Sequence, residues 1–437
     1  MIDTLKDRIS KAKGVDDWLI LQSDREGLER YYVGKRLDMA RGSRAREWSV
    51  RLFADGDSAA GKTRGSAACF IRSGMSDSEI SSALERCAYS ASLAQGPWHP
   101  LLEPNASRAA LPIPPLASGS MERWSTRFAD AFFAEDSLSD PSINSLELFI
   151  RRNRKRIVNS RGLEEEFETA RAMCEYIVQA SGASEAVEIF HETSLGAFDE
   201  AAIRSDAARQ LRLAADRALA VPAGGLGSLK GIPVILSGAQ AVSGFFGYFM
   251  AKTDARALFE KTSDAVPGFR FCDEGSDRDA VTLSLTAFDE RIPDAEPVDS
   301  DGLRLVDRAA IEAGRVASLH GAAKYCHFLG LPPKGGYGAA RVEGGALSAA
   351  ELRRGPYVEC VSFSDFTMEP TTGDFGGEVR LGYLHDGNAK TPFSGGAISG
   401  RMAENLASLR FSKETALAGD LMAPECVKLF AVSASNG

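Results

Sequence analysis

Thr371-Thr372-Gly373-Asp374-Phe375-Gly376-Gly377-Glu378 runs directly into Val379-Arg380-Leu381-Gly382-Tyr383, a polar glycine cluster followed by strand-like alternation. A second cluster, Gly395-Gly396-Ala397-Ile398-Ser399-Gly400, comes shortly after. Glycine adopts backbone angles that other residues resist, so such clusters mark bulges, tight turns or the close approach of another backbone. Of the 42 glycines, 20 fall after residue 300, where the strands are short and separated by turn residues. Residues 221–437 therefore read as a β-rich C-terminal domain, with helices expected at about 239–252, 306–328 and 400–410.

Upstream the pattern differs. An opening helix to about Lys13 precedes strand-like runs at Trp18–Gln22, Glu29–Val33 and Glu47–Ala54. Ser76-Asp77-Ser78-Glu79 has capping-box spacing and starts a helix to about Ala94. Six prolines between Gly96 and Pro115 then break the chain, which sets an N-terminal α/β domain at 1–110. In a middle α/β segment, 111–220, Asn159-Ser160-Arg161-Gly162 reads as a hairpin turn. Asp199–Ala220 reads as a helix with Ile203, Ala207, Leu211, Ala214 and Ala218 on one face. Val221-Pro222-Ala223-Gly224-Gly225 marks the next boundary. The fold class is α+β.

A net charge of -9 argues against a broad nucleic-acid surface. The basic run Arg151–Arg156 is answered by Glu164-Glu165-Glu166, which reads as two oppositely charged, solvated ends of a hairpin. Seven cysteines, odd in number and without a Cys-x-x-Cys pair, fit reduced thiols and a cytoplasmic location. No apolar run is long enough for a membrane helix, and the N-terminus lacks a signal-like core.

Several stretches imitate chemical motifs. Gly56–Thr63 matches the phosphate-loop pattern G-x-x-x-x-G-K-T, but the residues after Lys62-Thr63 read as a returning strand, where a phosphate loop needs a helix N-terminus. A hairpin is expected, with nucleotide binding through Lys62 as the alternative. His191-Glu192 lacks the second histidine of a zinc-peptidase helix. His320 and His327, seven apart on an expected helix with Cys326, form the other candidate metal group. Asp289 reads as a solvated turn carboxylate, and His99 and His385 as structural or exposed.

Taken in order, Arg156–Gly162, Val221–Gly224 leading to Gly231–Leu236, Gly330–Gly336, Thr372–Phe375 and Gly395–Gly400 resemble the TldD/PmbA peptidase family, once called modulators of DNA gyrase. The resemblance spans nearly the whole chain. It implies subunits paired around a peptide-accepting space, and a His-Glu-x-x-x-His helix just after the strand at Pro233–Leu236. In that pattern two histidines and a later cysteine hold the metal, and the glutamate activates water. On this chain the ligand positions fall at Ser243 and Tyr248, and the base position at Gly244. No histidine lies between His191 and His320 to restore the pattern, and Cys426 sits in a strand-like stretch.

The resemblance therefore implies a PmbA/TldE-like chain with no catalytic residue, metal or cofactor of its own. It would be the silent subunit (a pseudoenzyme) of a heterodimer whose TldD-like catalytic partner carries zinc, and whose work is proteolysis or maturation of unstructured peptides. Phe245, Phe246, Asp374 and Phe375 are candidates for the peptide lumen or the subunit interface, with core packing as the competing role. Three alternatives stand beside this: a homodimeric hydrolase with its metal at His320, Cys326 and His327, a nucleotide-binding protein, and a homodimeric scaffold. Neither a nucleic-acid nor a membrane partner is expected.

Overall fold

The computed structural model describes the chain except residues 60, 138, 183–185, 228, 273–277 and 436–437. Its first unit is a seven-stranded antiparallel sheet. The strands are β1 (Asp17–Val33), β2 (Arg36–Ser58), β3 (Gly61–Arg72), β4 (Gln95–Pro97), β5 (Ser142–Asn159), β6 (Glu164–Ser181) and β7 (Ala186–Leu195). Their order is β4-β3-β2-β1-β5-β6-β7. Strand β1 pairs with β5 from Leu19↔Asn159 to Val33↔Ser145, so one sheet crosses the boundary expected at residue 110. Backbone ladders join the two segments, and the proline-rich stretch is a loop between them.

Four helices cover this sheet: α1 (Ile2–Lys11), α2 (Asp77–Leu93), α3 (Met121–Phe133) and α4 (Glu200–Ala218). Helix α2 opens with the expected capping box, Ser76 Oγ accepting from Glu79 N and the Glu79 side chain from Ser76 N. Leu5, Ile9, Ile80 and Leu84 pack on Ile20, Val50, Leu52 and Ile71. Helices α3 and α4 cover β5–β7 through Phe128, Phe132, Ile203, Ala207 and Leu211. The phosphate-loop lookalike is the β2–β3 hairpin, with Gly56↔Thr63 and Asp57↔Lys62 as cross-strand pairs; its Ala60 lies outside the described residues. No helix follows it to cradle a phosphate.

The second unit begins at β8 (Val221–Pro222) and continues through β9 (Val234–Leu236), β10 (Leu283–Leu285), β11 (Arg308–Glu312), β12 (Arg315–Val316) and β13 (Ala340–Val342). After these come β14 (Tyr357–Met368), β15 (Asp374–His385), β16 (Lys390–Ser394) and β17 (Ala397–Arg401). The last are β18 (Arg410–Phe411), β19 (Thr415–Ala418), β20 (Leu421–Pro424), β21 (Val427–Leu429) and β22 (Val432–Ser435). One sheet runs β18-β21-β9-β14-β15-β16-β8 with β17 added on β15 and β22 on β17; the other runs β12-β11-β10-β13-β20-β19. Helix α5 (Ala239–Lys252), followed by the short α6 (Ala255–Phe259), packs on β14 of the first sheet and on β19 and β20 of the second.

The glycine clusters serve close strand approach. A Cβ on Gly377 would stand 2.3 Å from Asp365 O, so β14 and β15 could not pair there with any other residue. The helix expected at 306–328 is instead β11, a turn with Ala313 and Gly314 at positive φ, β12, and the short helix α7 at Ala323–Phe328. Strand pairing to β10 outweighs the alanine-rich local preference. The helix expected at 400–410 is the four-residue Met402–Asn405, because Gly400 and Arg401 belong to β17.

Arg64, its side chain fully buried, ties the first unit together. It donates to Asp17 Oδ2 (2.8 Å) and to both oxygens of Asp55 (2.6 and 2.9 Å), while the hairpin turn adds Ser160 Oγ and Arg161 Nη2 on Asp17. Trp98 of the proline-rich loop stacks on the guanidinium at 5.1 Å. Replacing it leaves the buried Asp17 with Ser160 and Arg161 alone and takes both guanidinium bonds from the exposed Asp55. Arg64→Ala should cost about 3–5 kcal/mol, read as a lowered denaturation midpoint.

Candidate functional site

Helix α5 follows β9 directly. Leu236 ends the strand, Ser237 N–H bonds to Cys360 O, and Gly238 is the N-cap. A Cβ at Gly238 would sit 2.1 Å from Val361 O, so the turn into the helix requires glycine. Ala241, Val242, Phe245, Phe246, Tyr248 and Phe249 are buried, and Gln240 is the one exposed residue of the helix.

The three degenerate positions lie apart in environment. Ser243 and Gly244 are half-buried, while Tyr248 is buried and its ring stands 3.4 Å from where a Cβ of Gly373 would be. At Gly244 a Cβ would meet Phe366 Cε1 at 3.2 Å and Cδ1 at 3.4 Å. A side chain at 244 would start against the Phe366 ring. A serine hydroxyl, no side chain and a buried phenol, whose pKa burial raises, do not fit a metal ion. Among the described residues, no group of three or more His, Cys, Asp or Glu could hold one.

Phe245 and Phe246 are fully buried, and Phe375 nearly so, in the core around α5. They face no open space in this chain, because the two sheets close on the helix from both sides. Asp374 is exposed and paired with Arg401 at 2.8 Å. The second metal candidate is also dispersed. His320 precedes α7 and its Nε2 lies 2.9 Å from Met250 O; His327 packs on the Trp98 ring; Cys326 points at Gly321 O. Asp289 is buried, contrary to the solvated turn expected. Burial pushes its pKa up, but Arg291 and Arg341 outweigh this and hold it at about 2.

A cleft of about 520 Å³ opens beside the first half of α5. One wall is Ile189-Phe190-His191-Glu192 of β7 and another is Val361-Ser362-Phe363-Ser364 of β14. Consecutive strand residues face opposite sides, so four in a row along a cleft mean that a strand edge opens onto it. Strand β7 is last in its sheet, and β14 pairs with β9 only through Cys360. The cleft therefore lies between two unpaired edges, with Ser243 on its floor.

His191, on a strand and not a helix, donates through Nε2 to Asp206 Oδ2 at 3.2 Å, which also accepts from Tyr176 OH at 2.7 Å. Burial favours a neutral Asp206, yet the bonds from His191, Tyr176 and Gln210 hold its pKa at about 2. The sequence reading missed this group, along with Arg209. The signal was present in α4, where Asp206, Arg209 and Gln210 interrupt a face otherwise alanine- and leucine-rich.

With the geometry in place, comparison adds the family. Residues 230–433 match the PmbA/TldA metallopeptidase C-terminal domain. That match places the family's C-terminal domain at residues 230–433 of this chain. Its fold is similar to that of TldE from Thermococcus kodakarensis (17% identity, TM-score 0.80, 99% of each chain covered). It is also similar to proteins described as candidate modulators of DNA gyrase. The one from Thermotoga maritima shares 14% identity with TM-score 0.75, covering 99% of this chain and 100% of that one. For the one from Bacteroides thetaiotaomicron the values are 15%, 0.77, 99% and 97%. A sequence comparison with curated proteins finds no match.

Two substitutions probe the site. Gly244→Glu should destabilise by roughly 1–3 kcal/mol through overpacking, and Phe366→Ala added to it should recover part of that loss in the same denaturant titration. Asp420, after the cleft-lining Gly419, has its pKa raised to about 6 by burial and by Asp294. Its unfolded value is about 3.9. The stabilising contribution of its proton is thus complete below about pH 4 and lost as pH rises through about 6. Asp420→Asn should flatten the stability profile between those values.

Proposed function

We propose that this chain is the catalytically silent, TldE-like subunit of a heteromeric TldD/TldE-type zinc peptidase acting on unstructured peptides in the cytoplasm. The observation that supports it is that positions 243, 244 and 248 carry Ser, Gly and Tyr, with no carboxylate or imidazole among them. Position 244 cannot activate water, and Ser243 and Tyr248 offer no metal-binding pair. Zinc, on this reading, belongs to a TldD-like partner.

The contribution of this chain is shape. Two unpaired strand edges flank a cleft of about 520 Å³, and an extended peptide satisfies such edges by adding main-chain hydrogen bonds. Seven free cysteines, five of them buried, are consistent with a reducing compartment, and no described helix is long and apolar enough to cross a membrane.

The test is a peptidase assay on an unstructured peptide with this chain alone, with a metal-binding family partner alone, and with both, metal content being measured throughout. The expected result is an inert, metal-free chain and cleavage by the mixture. Stoichiometric metal and cleavage by this chain alone would overturn the reading.

A further inference from the structure

Two of the seven cysteines meet on the helix-covered face of the first sheet. Cys69, on β3, faces the same side as Ala67 and Ile71, toward α2, and is half-buried. Cys87 lies on the inward face of α2 and is 4% exposed. Both converge on Val50. In the β2–β3 ladder Val50 stands directly opposite Cys69, and its carbonyl accepts from Cys87 Sγ at 4.0 Å. The two thiols also hydrogen-bond to each other.

Other cysteines are kept from reacting. Cys174, Cys326, Cys360 and Cys426 have no exposed surface, and burial pushes the Cys360 thiol up to about 12. In the Cys69–Cys87 pair the mutual hydrogen bond changes this. It holds the Cys87 thiol below the ordinary value against the effect of burial, and pushes the Cys69 thiol up. The first proton to leave thus comes off the pair, and the one that stays is shared by two sulfurs. One of those sulfurs is reachable from solvent. Strand β3 also has room to adjust there, because its outer neighbour β4 pairs only with Thr63–Gly65.

We propose that Cys69 and Cys87 form a redox site, closed to a disulfide by a hydroperoxide and reopened by a small dithiol. With the shared proton on Cys87, the Cys69 thiolate attacks one peroxide oxygen. The O–O bond breaks, Cys69 becomes a sulfenic acid, and the departing hydroxide or alkoxide takes the Cys87 proton. The Cys87 thiolate then attacks the Cys69 sulfur, the S–O bond breaks, and hydroxide leaves to recover the proton first lost. Two thiols and one hydrogen peroxide give one disulfide and two waters, the sulfurs losing two electrons. The new bond ties α2 to β3 and closes the chain between them into a loop, which resists unfolding of the first unit. It touches neither α5 nor the cleft, so the site is independent of the peptidase-subunit reading.

Treating the full chain with hydrogen peroxide, alkylating it in denaturant and mapping its peptides by mass without reductant tests this. The expected product is a pair of peptides joined through Cys69 and Cys87, lighter by two hydrogens, with Cys174, Cys326, Cys360 and Cys426 alkylated. The melting temperature should rise by roughly 5 °C or more, the scale of a disulfide closing a loop of this size, and fall back when dithiothreitol is added. Cys87→Ser should leave a sulfenic acid at Cys69 that dimedone traps. Because the mapping is made on the unaltered chain, a misfolded variant does not spoil it. Recovery of both thiols intact, oxidation of Cys69 to a sulfinic acid without linkage, or its linkage to another cysteine or a second chain overturns the site. A Cys69–Cys87 link that leaves the melting temperature unchanged overturns the stabilising role.

Discussion

Half of helix α5 is buried between two sheets, and most of what distinguishes this chain follows from that. It is pressed between β14 on one side and β19–β20 on the other, with Phe245, Phe246 and Phe249 filling the space between the sheets. An ionised side chain inside such a helix needs a compensating partner or a metal. Its single charge, Lys252, is at the last turn, where Nζ donates to Thr371 O at 2.9 Å. A His-Glu-x-x-x-His helix in this setting needs its metal to offset the burial of its polar groups. In this chain Phe245, Phe246 and Phe249 need no such partner, and the Phe366 ring packs against the helix at Gly244.

The first unit meets the second through a few specific ties. Tyr383 of β15 joins the core beneath α4, its hydroxyl donating to Asp216 at 2.6 Å. Lys155 pairs with Glu296, and Arg304 with the buried Glu165. Asn105 of the proline-rich loop donates to Gly302 O and to Glu165. These contacts fix α4 against the start of α5, which is why Arg209 and His191, from the first unit, share a cleft with Ser243 and Ser362 from the second.

Much of this fold was legible in the sequence. The capping box at Ser76, the face of α4, the hairpin at Asn159–Gly162 and helix α5 are local signals, and local signals survive into the structure. Asn159 shows why: its Oδ1 accepts from Arg161 N and Leu163 N, so the turn is built by its own residues. What was illegible depends on partners far along the chain. Residues 306–328 carry helical composition, yet β10 recruits part of them as strand. Asp289 looked solvated because Arg341 is 52 residues away. The lumen candidates Phe245 and Phe246 could be placed on a helix from sequence, but which face met solvent was decided by β19 and β20.

The half-buried side of the helix continues into its N-terminal turn, where Ala239 and Arg209, bonded to Ser237 O, line the smaller cavity beside Glu425. Packing for stability alone would favour a side-chain cap at Gly238 and an apolar residue at 237. A cap is sterically barred by Val361 O, but nothing comparable bars an alanine at 237. What holds a serine there is its neighbour: the Ser237 hydroxyl stands beside the Glu359 carboxylate and helps Arg353 keep it ionised, which an alanine could not do.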